Sequence, residues 1–238
     1  MSAPEEDHAR WRNERHAAVA RPTGNLALVE TRWVGPERPD LAAAQAAAPA
    51  SVTVTPIQRT DISTGQPEYG LRFWDAESPA IRAYDRIDAY EYDPAWVIEA
   101  QFAPVDAGRT VPFEHIRDNG GTRELVVPGD ITFTLDGTEH RLAAFDDGGT
   151  LLLVFGDPTN GDETYGSGRF LFVQRDDEAG FGDAGSVVLD FNRAFVPPCG
   201  FSAHYNCPLP PPQNRFAQPI RAGEKNVVFM DDFDIYSA

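Results

Sequence analysis

From Ser51 onward the apolar residues of this chain recur at every second position in short runs separated by Gly, Pro and Asp, and this rhythm limits the fold more than any other feature. At period two, successive side chains point to opposite faces of a strand, so each run can bury one face and leave the other in water. Short strands at close spacing pair with their sequence neighbours through tight turns. That predicts a mainly β body, an antiparallel barrel-like sheet or a curled sandwich. The pattern places strands at 52–57, 69–74, 87–92, 96–103, 124–127, 131–135, 138–145, 151–155, 170–174, 187–191 and 227–230. Asp136-Gly137 is the clearest turn, because both residues tolerate the left-handed backbone of a two-residue type I′ hairpin. Such a turn sets Leu135 opposite Thr138, Phe133 opposite His140 and Ile131 opposite Leu142 on one face, with Thr132, Thr134, Glu139 and Arg141 on the other. Residues 151–155 are apolar without alternation and read as a strand buried on both faces near the sheet centre.

Ahead of this body, residues 5–20 read as an N-terminal helix charged on most faces, with Trp11, Ala18 and Val19 available to dock and with His8 and His16 in solvated positions. Residues 41–48 are nearly all Ala between Pro39 and Pro49, and so short a helix is marginal without tertiary contacts. It is a spacer or one docked turn. The expected organisation is a helical arm and Ala-rich linker over 1–50, then a β body over 51–238 with a C-terminal Pro-rich strap.

Charge narrows the partners. The 37 acidic residues against 20 basic ones leave a net charge of −17, and Lys225 is the only lysine. A surface this acidic repels itself at low ionic strength, and salt screens it over about 10 Å at 0.1 M. The near-absence of Lys beside the excess of Asp points to a high-salt, halophilic cytoplasm. The same sign argues against nucleic acid and anionic membrane as partners, since both demand attraction to phosphates. No apolar run approaches the roughly 20 residues of a membrane-spanning helix. Residues 1–7 are acidic where a secretory leader would be basic and then apolar, so a cytoplasmic location is expected. Two cysteines are too few for a disulfide framework, and a reducing cytosol keeps them as thiols.

Function is expected on the C-terminal third, where residues 155–225 crowd Gly, Pro, Asp, Asn, Arg, Tyr and both cysteines around short strands, because irregular backbone held by a scaffold is where sites form. Glu163, Tyr165 and Arg169 sit at the entrance of one strand, and Asp190, Asn192 and Arg193 at the end of another. If 170–174 and 187–191 pair antiparallel, Arg169 and Asn192 share one end of the sheet. Two guanidiniums there would suit a carboxylate or phosphate. The same set reads equally as an Arg-Asp network that only ties loops down.

Cys199 and Cys207 bracket His204 with seven residues between the sulfurs, a ligand chemistry that suits zinc but a spacing unlike a zinc knuckle. Asp157 or Glu163 would have to complete such a site. A transient disulfide or a pair of buried inert thiols is the alternative, as is nucleophilic catalysis by Cys199 activated by His204 or Arg193. His140 falls on the apolar side of its hairpin as a core histidine, whereas His115 is expected in solvent. Residues 208–212 must run extended as a strap over the barrel.

Several of these segments together resemble domain-of-unknown-function family 1684. They are Gly161-Asp162-Glu163-Thr164-Tyr165-Gly166-Ser167-Gly168-Arg169-Phe170-Leu171, Leu189-Asp190-Phe191-Asn192-Arg193-Ala194, Pro198-Cys199, Cys207-Pro208-Leu209-Pro210-Pro211-Pro212, and Ile220 with Ala222-Gly223-Glu224-Lys225. Upstream, Trp11-Arg12 with Arg15, Tyr69-Gly70-Leu71-Arg72, Ser78-Pro79-Ala80 and Asp93-Pro94-Ala95-Trp96 extend the resemblance over most of the chain. It implies membership and brings no reaction with it. Where the family pattern has Asn before Pro-Pro-Cys and Glu after the prolines, this chain has Val196 and Gln213, so no carboxylate at 213 can serve as acid or base.

Three readings of function follow. In the first, Tyr165, Arg169, Asn192 and Arg193 bind a small polar or anionic ligand at one mouth of the β body, under the strap of residues 199–214. In the second, the chain is a hydrolase or metal-dependent enzyme with Glu163 or Asp190 as general base and Cys199, His204 and Cys207 as metal ligands or nucleophile. In the third, it is an interaction protein with no small ligand.

Overall fold

A computed structural model describes residues 3–106, 108–175 and 180–237. They form two compact units, one of Met1–Ile87, Pro198–Asn206 and Val227–Ala238, the other of Asp88–Pro197 and Cys207–Asn226. In chain order the first holds α1 (Ala3–Val19), β1 (Leu28–Gly35), α2 (Leu41–Ala47), β2 (Val52–Thr60), β3 (Pro67–Asp75), α3 (Pro79–Ala83) and most of β4 (Tyr84–Ala89). The second holds β5 (Val97–Pro104), β6 (Thr110–Glu114), β7 (Thr122–Val126), β8 (Gly129–Leu135), β9 (Thr138–Asp147), β10 (Thr150–Phe155), β11 (Arg169–Arg175), β12 (Gly185–Asp190) and the start of β13 (Glu224–Phe229).

The first unit is built on an antiparallel sheet ordered β1-β3-β2. Its β1 falls inside the segment expected to be arm and linker. Glu30 and Arg32 break the apolar rhythm there, and only Leu28 of the strand is buried. An Arg32–Glu30 ion pair, Arg32 over the Phe73 ring and Arg59 over the Trp33 ring dress the sheet surface, while Val52, Val54 and Leu71, with Ala44, Ala48 and Phe73 packed against them, form its small apolar cluster. The Ala-rich α2 is short enough to need support. Asp40 caps it by accepting from Ala43 N at 3.0 Å, and Gln45 bridges to β2, donating to Val52 O at 2.9 Å and accepting from Val54 N at 2.8 Å. In α1, rich in Ala, Glu and Arg and free of Gly, His8 is buried and stacks on Trp11 at 5.6 Å, contrary to the solvated position expected for it. His16 is half-buried and shares a 2.9 Å hydrogen bond with the Tyr84 hydroxyl.

In the second unit six strands close into an antiparallel barrel ordered β10-β11-β12-β5-β8-β9, with β6 and β7 as a separate hairpin. The β8–β9 register is the one the Asp136-Gly137 turn dictates, Leu135 opposite Thr138, Phe133 opposite His140 and Ile131 opposite Leu142. Both turn residues have positive φ, 50° and 78°, as a type I′ turn requires. Leu151–Phe155 of β10 is buried throughout and joins Phe102, Ile131, Leu189 and Phe191 in the core. His140 faces this core from β9, stacking on Phe133 at 5.2 Å.

Two seams of the barrel are incomplete, and they set up the site. Among the described residues, strands β11 and β12 pair at Gln174↔Val188 and Arg175↔Val187 alone. Beyond that, Phe195 takes over as the partner of β11, exchanging hydrogen bonds with Phe170 at 3.0 and 2.8 Å. The β9–β10 ladder stops at Leu153↔Ala144. Where the next rung would be, the fully buried Asn214 side chain inserts, accepting from Ala143 N at 2.9 Å and donating to Ala143 O and Val154 O at 2.8 Å each.

Asn214 belongs to the expected strap. Its chain ties to β6 and the segment after it through Leu209 N→Glu114 O (2.7 Å) and Ile116 N→Cys207 O (3.0 Å), and to the end of β10 through Gly156 N→Asn214 O (3.1 Å) and Phe216 N→Gly156 O (2.8 Å). The bridge of Pro208 to His115 explains why that histidine is buried where solvent exposure was expected.

Candidate functional site

Between β10 and β11 the chain makes a loop, residues 156–168, that satisfies nearly all of its own backbone. Asp157 N donates to Asn160 Oδ1, Thr159 N to Asp157 Oδ1, Asn160 N to Asp157 O and Gly161 N to Thr164 O, while Asp162, Glu163 and Thr164 all donate to Thr159 O. Tyr165 N donates to Lys225 O, and Gly168 N to Tyr165 O. Pro158 has no donor. The main-chain N–H groups of Gly166 and Ser167 therefore remain, with no acceptor among the described residues, and the Ser167 hydroxyl likewise. Gly168 has φ +91°, and a Cβ there would lie 2.5 Å from Pro210 Cγ and 2.6 Å from Phe155 O, so only Gly lets the strap seat on the loop.

Five of the six loop and strand-end residues expected to share a site, all but Tyr165, fall into three separate knots. Arg169 is fully enclosed. Its guanidinium donates to Asp157 Oδ2 at 2.8 Å, Ile220 O at 2.6 Å, Ala222 O at 2.5 Å and Glu224 O at 3.3 Å, which makes it a clamp between the loop and residues 220–224, with no surface to offer a ligand. Asn192 is also buried. It donates to Asp93 O and Asp190 Oδ1 at 3.0 Å and accepts from Asp93 N at 2.9 Å, while Asp190 Oδ2 pairs with Arg193 Nε at 3.2 Å. Asp190 and Asn192 were expected at one end with Arg169, and they do serve there as turn and loop ties.

Glu163 forms the third knot. It accepts from Tyr90 Oη at 2.8 Å and from Arg221 Nε and Nη2 at 3.0 and 2.7 Å. The Arg221 bonds, then the Tyr90 bond, hold its carboxyl down at about 2. Burial and the Glu163 contact push the Tyr90 phenol up to about 12. A carboxylate this weakly basic is a poor proton acceptor at neutral pH. Tyr165 is half-buried and joined to Lys225 through its backbone.

The proposed metal ligands fall in both units, Cys199 and His204 in the first and Cys207 in the second, with both cysteines buried. Among the described residues no group of three or more His, Cys, Asp and Glu is placed to hold a metal ion, so these three are not assembled as a ligand set. His204 instead lines a mostly apolar cavity of about 200 Å³ with Leu26, Leu28, Phe201 and Phe233. The serines of that cavity are spent on main-chain carbonyls, Ser78 on Leu26 O at 2.7 Å and Ser202 on Leu28 O at 2.6 Å.

The larger cavity lies in the second unit, about 590 Å³, walled by the loop on one side and the strap on the other. Gly166, Ser167 and Gly168 face Leu209, Pro210, Arg215 and Phe216 across it. Arg215 is exposed and has no ion-pair partner among the described residues. Asp157 also contributes to the lining, but its carboxylate is fully covered and neutralised by Arg169. The local balance of this cavity is thus cationic and rich in donors on a molecule of charge −17. The sequence reading named Tyr165 and Arg169, which flank Gly166-Ser167-Gly168, and did not name Ser167 or Arg215. Arg215 follows the last proline of the strap by three residues, close enough in sequence to be carried to the same cavity as Leu209 and Pro210.

A family model described as "Protein of unknown function (DUF1684)" matches residues 82–225, more than half of the chain. The chain belongs to this family. The matched span contains every residue lining the larger cavity and leaves out β1, β2 and β3. Among solved structures, the chain is similar to the solution NMR structure of an uncharacterised protein of Haloarcula marismortui, with 30% identity over 60% of this chain and 77% of that one and a TM-score of 0.49. No curated protein matches the chain.

Proposed function

We propose that this member of the DUF1684 family is a binding protein for a small anionic molecule, held in the cavity between the 156–168 loop and the strap. One observation carries the reading. The Gly166 and Ser167 N–H groups, the Ser167 hydroxyl and the Arg215 guanidinium all belong to residues lining one cavity, and none has an acceptor among the described residues. Backbone N–H groups left without protein partners, beside an unpaired guanidinium, are what an oxyanion needs. The cavity volume of about 590 Å³ suits a small organic molecule.

Isothermal titration calorimetry of the wild-type chain and Arg215→Ala against a panel of small carboxylates, phosphates and sulfates tests this. At least one anion should bind the wild type, and Arg215→Ala should weaken it about tenfold or more, the usual cost of a lost hydrogen bond to a charged group. Because Arg215 is exposed, the variant should melt within a degree or two of the wild type. Equal binding by both proteins, or binding by neither, would refute the reading.

A further inference from the structure

Resting on the anion site just described, we infer that its ligand carries a phosphoryl group esterified to a partly apolar body. Arg215 offers a planar fork, which by itself saturates one edge of a carboxylate. A carboxylate so held keeps only two further lone pairs, both in its own plane, so at least one of the three loop donors, the N–H groups of Gly166 and Ser167 and the Ser167 hydroxyl, finds no acceptor on it. A phosphate monoester presents three terminal oxygens in a tetrahedron, enough to take the fork on one side and the loop donors on another.

Two further features point the same way. Asp157, the carboxylate in the wall, is covered and neutralised by Arg169, so a dianion meets no bare negative charge from it. The nearby Glu163 is itself closed off by Arg221. Beside Arg215 the strap wall presents Leu209, Pro210 and Phe216, apolar surface that matches an apolar group next to the charged one. The space is several times that of an inorganic anion, so an organic body accompanies the phosphoryl group.

The test compares phenyl phosphate, inorganic phosphate and benzoate by calorimetry on the wild type, Ser167→Ala, Arg215→Ala and Arg215→Lys. Phenyl phosphate should bind at least about tenfold more tightly than benzoate. Ser167→Ala should weaken both phosphates several-fold and leave benzoate unchanged. Arg215→Lys, which keeps the charge and loses the fork, should fall between the wild type and Arg215→Ala. Benzoate binding as tightly as phenyl phosphate, with Arg215→Ala still weakening both, would overturn the phosphoryl assignment and leave the anion site standing. Inorganic phosphate binding as tightly as phenyl phosphate would overturn the ester part and identify the free ion as the ligand. Failure of all three probes, with no effect of any variant, would remove the anion site and this inference with it.

Discussion

A guanidinium with no exposed surface stays in a fold only where its charge is met, and Arg169 is met by one carboxylate and three carbonyls. Removing one partner strands the other. Asp157→Ala and Arg169→Ala should each cost about 3–5 kcal/mol of stability, read from urea unfolding, and the double variant should cost less than their sum. Three histidines carry a second prediction. Burial is the main cause that lowers the pKa of His115, His140 and His16 below the ordinary 6.5. Their unfolded forms then take up protons before the folded ones do, so stability falls as pH drops below about 6.5. Glu163, held down at about 2, loses its contribution progressively as pH falls from its ordinary 4.5 through about 2. A pH series of melting curves should show His115→Gln flattening the upper part of this fall, and an unchanged slope would contradict the assignment. At this scale the sequence was legible in residue type and blind to burial. Arg169 and Arg215 look alike in the chain, and only the carbonyls of residues 220–224, brought in from far along the sequence, turn the first inward.

Elements whose contacts are local were readable. The β8–β9 hairpin follows from two turn residues and alternation, and β10 from its unbroken apolar run. Strand β1 was not readable, because Glu30 and Arg32 interrupt its alternation and the apolar cluster of its sheet, Val52, Val54 and Leu71, is supplied by β2 and β3. Nor could alternation show that Asn214 would stand in for a missing rung between β9 and β10, since that contact spans 71 residues. The strap was legible as extended chain from its prolines, and its seat on Gly168 was not. That seat gives the prediction for this scale. Gly168→Ala places a methyl against Pro210 and Phe155 O in a backbone conformation that disfavours it, and should cost about 1–3 kcal/mol. It should also weaken anion binding by displacing the wall of the cavity. Gly166→Ala, whose added Cβ meets nothing closer than 3.7 Å, is the control and should leave the fold intact.

For the molecule as a whole, the charge of −17 and the cationic cavity pull in opposite directions. Self-repulsion among 37 acidic groups should relax as salt rises, so the melting temperature should climb between low and molar sodium chloride. A flat or falling curve would contradict salt adaptation. The same acidic surface makes any anion site exceptional, because a small anion must be won locally from a molecule that repels it at a distance. The direct test is an NMR titration of the isotope-labelled chain with phenyl phosphate. The backbone amides of Gly166 and Ser167 and the Arg215 side chain should shift saturably and together, while the amides of Asp162, Glu163 and Thr164, already bonded to Thr159 O, stay in place. Shifts that miss Gly166 and Ser167, or that cluster around Arg193 and Asn192 instead, would contradict the account.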